Sequence, residues 1–229
     1  LRAQQIIETL LEGIESKRAQ RVILDITGVP IVELQVASVL VKAAQALIAE
    51  GRLNVPVLEI TQAADVGMGS FYNHFDSKEQ LFEVAVADVL DTHGAVLDRL
   101  TADLEDPAAV FACSFRLSGR FFRARPQESR ILLANWGALL SSDKGLAPRA
   151  LRDIKAAVAA GRFTVDDPEL ALAVAGGALL GVGHLLQAQP QRDVGTTSDA
   201  ATESVLRLFG MSADDAREVC ALPLPDFEF

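Results

Sequence analysis

Ile60-Thr61-Gln62-Ala63-Ala64-Asp65-Val66-Gly67-Met68-Gly69-Ser70-Phe71-Tyr72-Asn73-His74-Phe75-Asp76-Ser77-Lys78-Glu79-Gln80-Leu81-Phe82 is the stretch on which the reading of this chain turns. A short helix follows Pro56, with Leu58, Ile60, Ala63 and Ala64 expected to face inward. Asp65-Val66-Gly67 is a tight turn, and a second short helix runs on from Met68. Ser77 is placed to cap the next helix, and Gln80, three residues on, completes a capping box. Two short helices joined by so few residues form a helix-turn-helix arrangement, whose second helix fits a DNA major groove.

Upstream, Leu40, Ala43, Ala44, Leu47 and Ile48 make an apolar helical stripe that stops at Gly51. Before it, the helical pattern of Ile6, Ile7, Leu10, Leu11 and Ile14 leads into Arg21-Val22-Ile23-Leu24-Asp25-Ile26-Thr27, a possible short strand closed by Gly28-Val29-Pro30. The pattern turns helical again from Val32 to Glu50.

Downstream the chain reads as helix with short breaks. Val84, Val86, Val89, Leu90, Leu97 and Leu100 continue the helix that leaves the module. Pro107 opens the next, carrying Phe111, Phe115, Phe121 and Phe122 to a stop near Pro126. Further helices are predicted over Ile131–Leu140 and Leu146–Ala160. Asp167 and Pro168 then cap and open another. That last helix, Leu170 to Leu186, is the most apolar piece. It is short for a membrane span, contains His184 and begins beside Asp and Glu. Gly176-Gly177-Ala178-Leu179-Leu180-Gly181-Val182-Gly183 follows no strand, so it is not a nucleotide loop. Its small residues suit a close helix–helix contact. A polar loop is expected from Gln187 to Ser198, then a helix from Ala200 to Phe209. The tail from Met211 is expected to lie along the surface.

Composition bounds the function. With 229 residues, half of them hydrophobic, the chain can bury a substantial core. A net charge of −10 excludes general coating of nucleic acid, so any DNA contact is local. Around the quoted stretch, Lys42, Arg52 and Lys78 stand against Glu50, Glu59, Asp65, Asp76, Glu79 and Glu83. Affinity for DNA is therefore expected to be weak and steeply salt-dependent. Cys113 and Cys220 are far apart, with no metal-ligand spacing, so neither a metal nor a cofactor is implied. Gly-x-Ser-x-Gly, His-Glu-x-x-His and paired cysteines are missing and the histidines are isolated, which argues against an enzyme. The polar interruptions in Leu1–Leu11 give no secretory signal, and a cytoplasmic protein is expected.

The quoted stretch resembles the TetR-family signature over its full length. That resemblance implies an all-α protein: a three-helix DNA-binding module over about residues 37–83, followed by a helical ligand-binding and dimerisation bundle over 84–229. It further implies a transcriptional regulator that acts as a homodimer on a palindromic operator, is released as a repressor by a small apolar or aromatic effector, and associates with the nucleoid when bound. Carried over residue by residue, Tyr72, His74 and Lys78 would touch phosphate, and Ser70 and Asn73 would lie towards the groove. Thr61 would support the backbone contact, and Met68 joins this DNA-facing set. Phe71, Phe75, Leu81 and Phe82 would be core. Phe111, Phe115, Phe122, Trp136 and His184 are candidate pocket walls. Leu172, Gly176, Leu179, Leu180, Gly183 and Leu206 are candidates for the dimer face.

Val22-Ile23-Leu24-Asp25-Ile26-Thr27-Gly28-Val29-Pro30 and Val36-Ala37-Ser38-Val39-Leu40 resemble the middle of a STAS domain. Glu33-Leu34 stands where such domains often carry a phosphorylatable Ser or Thr. Residues 1–36 are accordingly expected to be a STAS-like fragment. The alternative to an operator-reading regulator is a ligand-binding or protein-interaction dimer whose DNA head is impaired by this segment.

Overall fold

The computed structural model describes residues 30–134 and 145–226. The chain divides between Val36 and Ala37, and of the first part only residues 30–36 are described. Among the described residues the fold is all-helical. In chain order the helices are α1 Pro30–Ala49, α2 Val57–Ala63, α3 Met68–Tyr72, α4 Lys78–Leu100, α5 Pro107–Ala124, α6 Pro126–Ala134, α7 Leu146–Ala159, α8 Pro168–Ala188, α9 Val194–Leu208 and α10 Ala213–Ala221. The possible strand Val22–Thr27 lies outside the described residues, as does the end of the helix expected over Ile131–Leu140.

The head is built on the stripe that the α1 sequence predicts: Leu40, Ala43, Ala44, Leu47 and Ile48 are all buried. Gly51 ends that helix at a φ of 75°, which a glycine adopts without steric cost. Ile60, Phe71, Phe75 and Leu81 close the module from the other side. Leu58 and Ala63 correct the sequence expectation, because both point outward. α2 is only two turns long, and its inward side is taken by Ile60 and Thr61. The turn between α2 and α3 passes through Asp65 at a φ of 54°, a left-handed conformation that short Asp and Asn side chains tolerate better than most.

Capping works nearly as predicted. The Ser77 hydroxyl accepts from Gln80 N at 3.2 Å, while the Gln80 side chain accepts from Asp76 N rather than from Ser77. Asp167 accepts from the amides of Glu169 and Leu170 at the start of α8, with Pro168 in the first turn.

In the body α5 is the central element, packed against α6, α7, α8, α9 and α10. Phe111, Phe115, Phe163, Val205, Leu206, Phe209, Ile154 and Val219 make the main core. Gly119 permits the close approach of α5 to α9, since a Cβ there would collide with Ser198. Arg116, buried on α5, donates from Nε to Asp199 at 2.8 Å and from Nη1 to the Leu222 carbonyl at 2.7 Å. Arg120 grips the same carboxylate with two bonds. Burial favours the neutral acid, but the hydrogen bonds from Arg120 and Arg116 outweigh it and hold Asp199 below its ordinary range. Two further expectations are corrected here. The polar loop is short, because α9 begins at Val194 under an Asp193 cap. The tail is not superficial, since α10 buries Ala216, Val219 and Cys220 in the core.

Candidate nucleic-acid interface and effector cavity

α3 carries the residues predicted to face DNA. Met68 and Tyr72, one helical turn apart, are both exposed, Tyr72 by 58%. Asn73 is exposed beyond the helix end, and Ser70 and His74 are half-buried. Phe71 between them is fully buried, edge-on to Tyr72 at 5.2 Å, and anchors the helix. Thr61 is a correction. It is buried, its hydroxyl donates to the Leu58 carbonyl at 2.9 Å, and it supports the module from inside. Gly69 has open space around it.

Two cations of the head, Lys78 and Arg52, are engaged within it. Lys78 Nζ donates to Asn54 Oδ1 at 3.0 Å and to the Val55 carbonyl at 3.3 Å. Arg52 pairs with Glu50 at 3.1 Å and also with Glu59. No Lys or Arg occurs from Leu53 to Ser77. Gln45 of α1 donates to the Ala85 carbonyl and to Asp88 on α4, and Arg130 of α6 donates to the Ala49 carbonyl at 3.2 Å, so three hydrogen bonds tie α1 to these helices.

Within the body an apolar cavity of about 80 Å³ lies between α5, α6, α7 and α8. Its walls include the predicted Phe111, Phe115 and Phe122, joined by Leu132 and Leu133 of α6. A second space of about 70 Å³ shares Phe111, Phe115, Leu146, Ala150 and Leu179 with it, and adds Ser114, Ser118, Asp98, Arg149 and Asp153. The two spaces adjoin across these shared walls, one apolar and the other bringing a polar end to the chamber region, a mixture expected of a small-molecule site. His184 is exposed on the far side of α8 and lines neither space, and Trp136 lies outside the described residues.

Charge at the polar end is finely divided. Arg149 reaches Asp98 at 2.7 Å and Asp91 at 2.9 Å, and Arg152 bridges Asp98 to Asp153. Gly94 leaves room on α4 for the Arg149 guanidinium. Burial raises Asp98, yet Arg149 and Arg152 together hold it below its usual value, whereas burial wins at the deeper Asp153 and pushes it up. Beside them His93 meets Ser118 Oγ at 3.1 Å and lies tilted against Phe121 with ring centroids 4.2 Å apart, and burial pushes its pKa down to about 4. Sequence reading missed this polar end. A signal existed on α5, where Phe111, Ser114, Phe115 and Ser118 share one face. Nothing local showed that α4 and α7 would meet it.

Of the residues expected at a dimer face, Gly183 and Leu206 are a correction, since both are buried within the chain, while Leu172, Gly176, Leu179 and Leu180 are half-buried and line the cavity. A Cβ on Gly183 would meet Leu133 and Phe122 within 3 Å. The open side of α8 presents Leu170, Val174, Gly177 and Gly181, with Leu208 of α9 near its start. α8 is long and apolar enough to cross a membrane by length and composition, but it packs along α5, α7 and α9 within the bundle.

Comparison with known proteins agrees on both halves. Residues 39–85 match the model of bacterial regulatory proteins, tetR family, and residues 106–221 match a tetracyclin repressor-like C-terminal domain. The crystal structure of RolR in complex with its ligand resorcinol is 32% identical, covers 85% of this chain and 97% of its own, and superposes with a TM-score of 0.61. The HTH-type transcriptional repressor KstR2 of Mycolicibacterium smegmatis is 38% identical over 63 residues, 26% of this chain and 31% of that protein. The RsbT co-antagonist protein RsbRA of Bacillus subtilis is 46% identical over 46 residues, 20% of this chain and 17% of that protein. The chain thus spans less than a third of either of these last two relatives. An exposed reading helix and a closed helical body, matched in order by family models and by a full-length structural relative, place the chain in the TetR family of bacterial regulatory proteins.

Proposed function

We propose that this protein is a cytoplasmic, DNA-binding transcriptional repressor that works as a homodimer on a palindromic operator and is released by a small hydroxylated aromatic effector. One observation carries the reading: α4 begins directly after the reading helix and ends in the wall of the effector chamber, where Leu97 and Asp98 stand. A ligand that favours one placement of α4 and α6 over another changes the spacing of two reading helices, which must fit half-sites about 34–36 Å apart. Arg149 and Arg152 pull on α4 through Asp98, and Arg130 on α1 through Ala49, so both ends of the head feel the chamber.

The phenyl walls suit an aromatic ring, while Ser114, Ser118, Arg149 and Asp153 suit its hydroxyl groups. The resorcinol bound by RolR is a molecule of that kind. Residues 1–36 are read as a STAS-like segment, supported by the short match to RsbRA. The alternative of a dimer with an impaired head draws no support from the KstR2 and RolR matches.

The test is fluorescence anisotropy against a pool of random duplexes, followed by selection and sequencing of bound molecules. A palindrome is expected, with binding lost in Tyr72→Ala and weakened by millimolar resorcinol or a related phenol. With Arg52 and Lys78 held internally, the slope of log K on log salt is expected to be about −2, as for a dimer neutralising one phosphate per protomer. That is shallower than charge counting alone implies. A well-folded dimer that selects no duplex overturns the reading.

A further inference from the structure

Resting on α3 as the DNA-reading helix, we propose that Met68 is a specificity-determining residue that packs against the C5-methyl group of a thymine in each half-site. Three observations lead there. First, Met68 lies outside the buried core of the head, which holds Ile60, Phe71, Phe75 and Leu81, and is 44% exposed. A large apolar side chain exposed on the surface of a reading helix is a candidate for contact with a partner outside the chain. Second, α3 and its flanks hold no Lys or Arg. The commonest base-specific contact, a bidentate cation on guanine O6 and N7, is therefore not available from this helix. Third, the side chains that remain, Met68 and Tyr72 on one face with Ser70 and Asn73 beside them, offer an apolar surface and amide or hydroxyl bonds.

In the major groove the only apolar feature that distinguishes one base pair from another is the thymine methyl, and an Asn amide pairs best with adenine. The thioether of methionine is flexible and polarisable, so it adapts to that methyl without a fixed geometry. Both contacts select A·T over G·C. The half-site is thus read through shape-adaptive apolar packing where a cation would otherwise read guanine.

The experiment uses the full chain. An operator is selected from random duplexes, and each thymine is then replaced in turn by deoxyuridine, which removes only the methyl group. One position per half-site is expected to lose about fourfold in affinity, the worth of one buried methyl. Met68→Ala, with unchanged melting temperature, should bind the thymine and deoxyuridine duplexes alike. Met68→Lys should select guanine in place of that thymine. The proposal is overturned if every deoxyuridine duplex binds the wild type as the parent does, or if Met68→Ala keeps the full methyl preference. A wild-type chain that selects no duplex removes the DNA-reading assignment and this inference with it. A selected duplex indifferent to its methyl groups removes this inference alone.

Discussion

α5 and α8 lie side by side in the body, and the less apolar of the two is the better buried. α5 carries Arg116, Arg120 and Arg123, yet it is enclosed along most of its length, Arg116 included. α8 has a mean hydropathy of 1.7 over its most apolar window, yet only 28% of that window is buried inside the chain. Burial in a helical bundle follows position, and α5 is surrounded by five helices. An apolar face left open on α8 has a cost in water that grows with its area, which a second copy of the chain would remove. The charged helix holds one protomer together, and the apolar helix is free to hold two.

The comparison breaks most visibly at the open face of α8. Gly177 has no neighbouring atom within reach of an added Cβ, so Gly177→Glu should leave the protomer folded. It should convert the dimer to a monomer in sedimentation velocity, with operator affinity falling by a hundredfold or more. A Gly177→Glu dimer would place the partner elsewhere. On α5, Arg116→Ala removes one of the three hydrogen bonds that Asp199 receives and the donor to the Leu222 carbonyl, at a partly buried place. The expected loss is about 2 kcal/mol of unfolding free energy, read by urea denaturation.

His93 tests how tightly α5 is sealed against α4. Its folded pKa is about 4 against an ordinary 6.5, so on acidification the unfolded chain takes up this proton first. Stability from His93 is complete above about pH 6.5 and is lost as pH falls towards 4, by about 3 kcal/mol in all. His93→Asn should flatten that part of the stability profile; an unchanged profile would mean that water reaches the ring. The smallest effects come from two glycines of α8 that face opposite ways. Gly183→Ala should cost about 1–3 kcal/mol, because its Cβ meets Leu133 and Phe122. Gly181→Ala has open space and should stabilise the isolated protomer by up to about 1 kcal/mol. Any loss seen at Gly181 in the dimer, and absent in the Gly177→Glu background, belongs to the partner surface.

Much of the head was legible because its signals are local. The α1 stripe, the turn through Asp65, the Ser77 cap and the core positions Phe71, Phe75 and Leu81 each depend on neighbours a few residues away. Leu58 and Ala63 were misread because α2 is too short for periodicity to choose its inward side. In the body the aromatic stripe on α5 pointed to Phe111, Phe115 and Phe122. The polar end of the chamber was not legible, since Asp98, Ser118 and Arg149 come together only when three helices pack.

The sequence alone determined the order of the helices, their caps at Ser77 and Asp167, and the family signature from Ile60 to Phe82. These rest on hydrogen bonds and steric preferences spanning about one helical turn. Only the tertiary structure decided that Leu172, Gly176, Leu179 and Leu180 look inward while Leu170, Val174, Gly177 and Gly181 look out. A helix that is apolar on every side has no polar face to orient it, so its facing is settled by which neighbours reach it first.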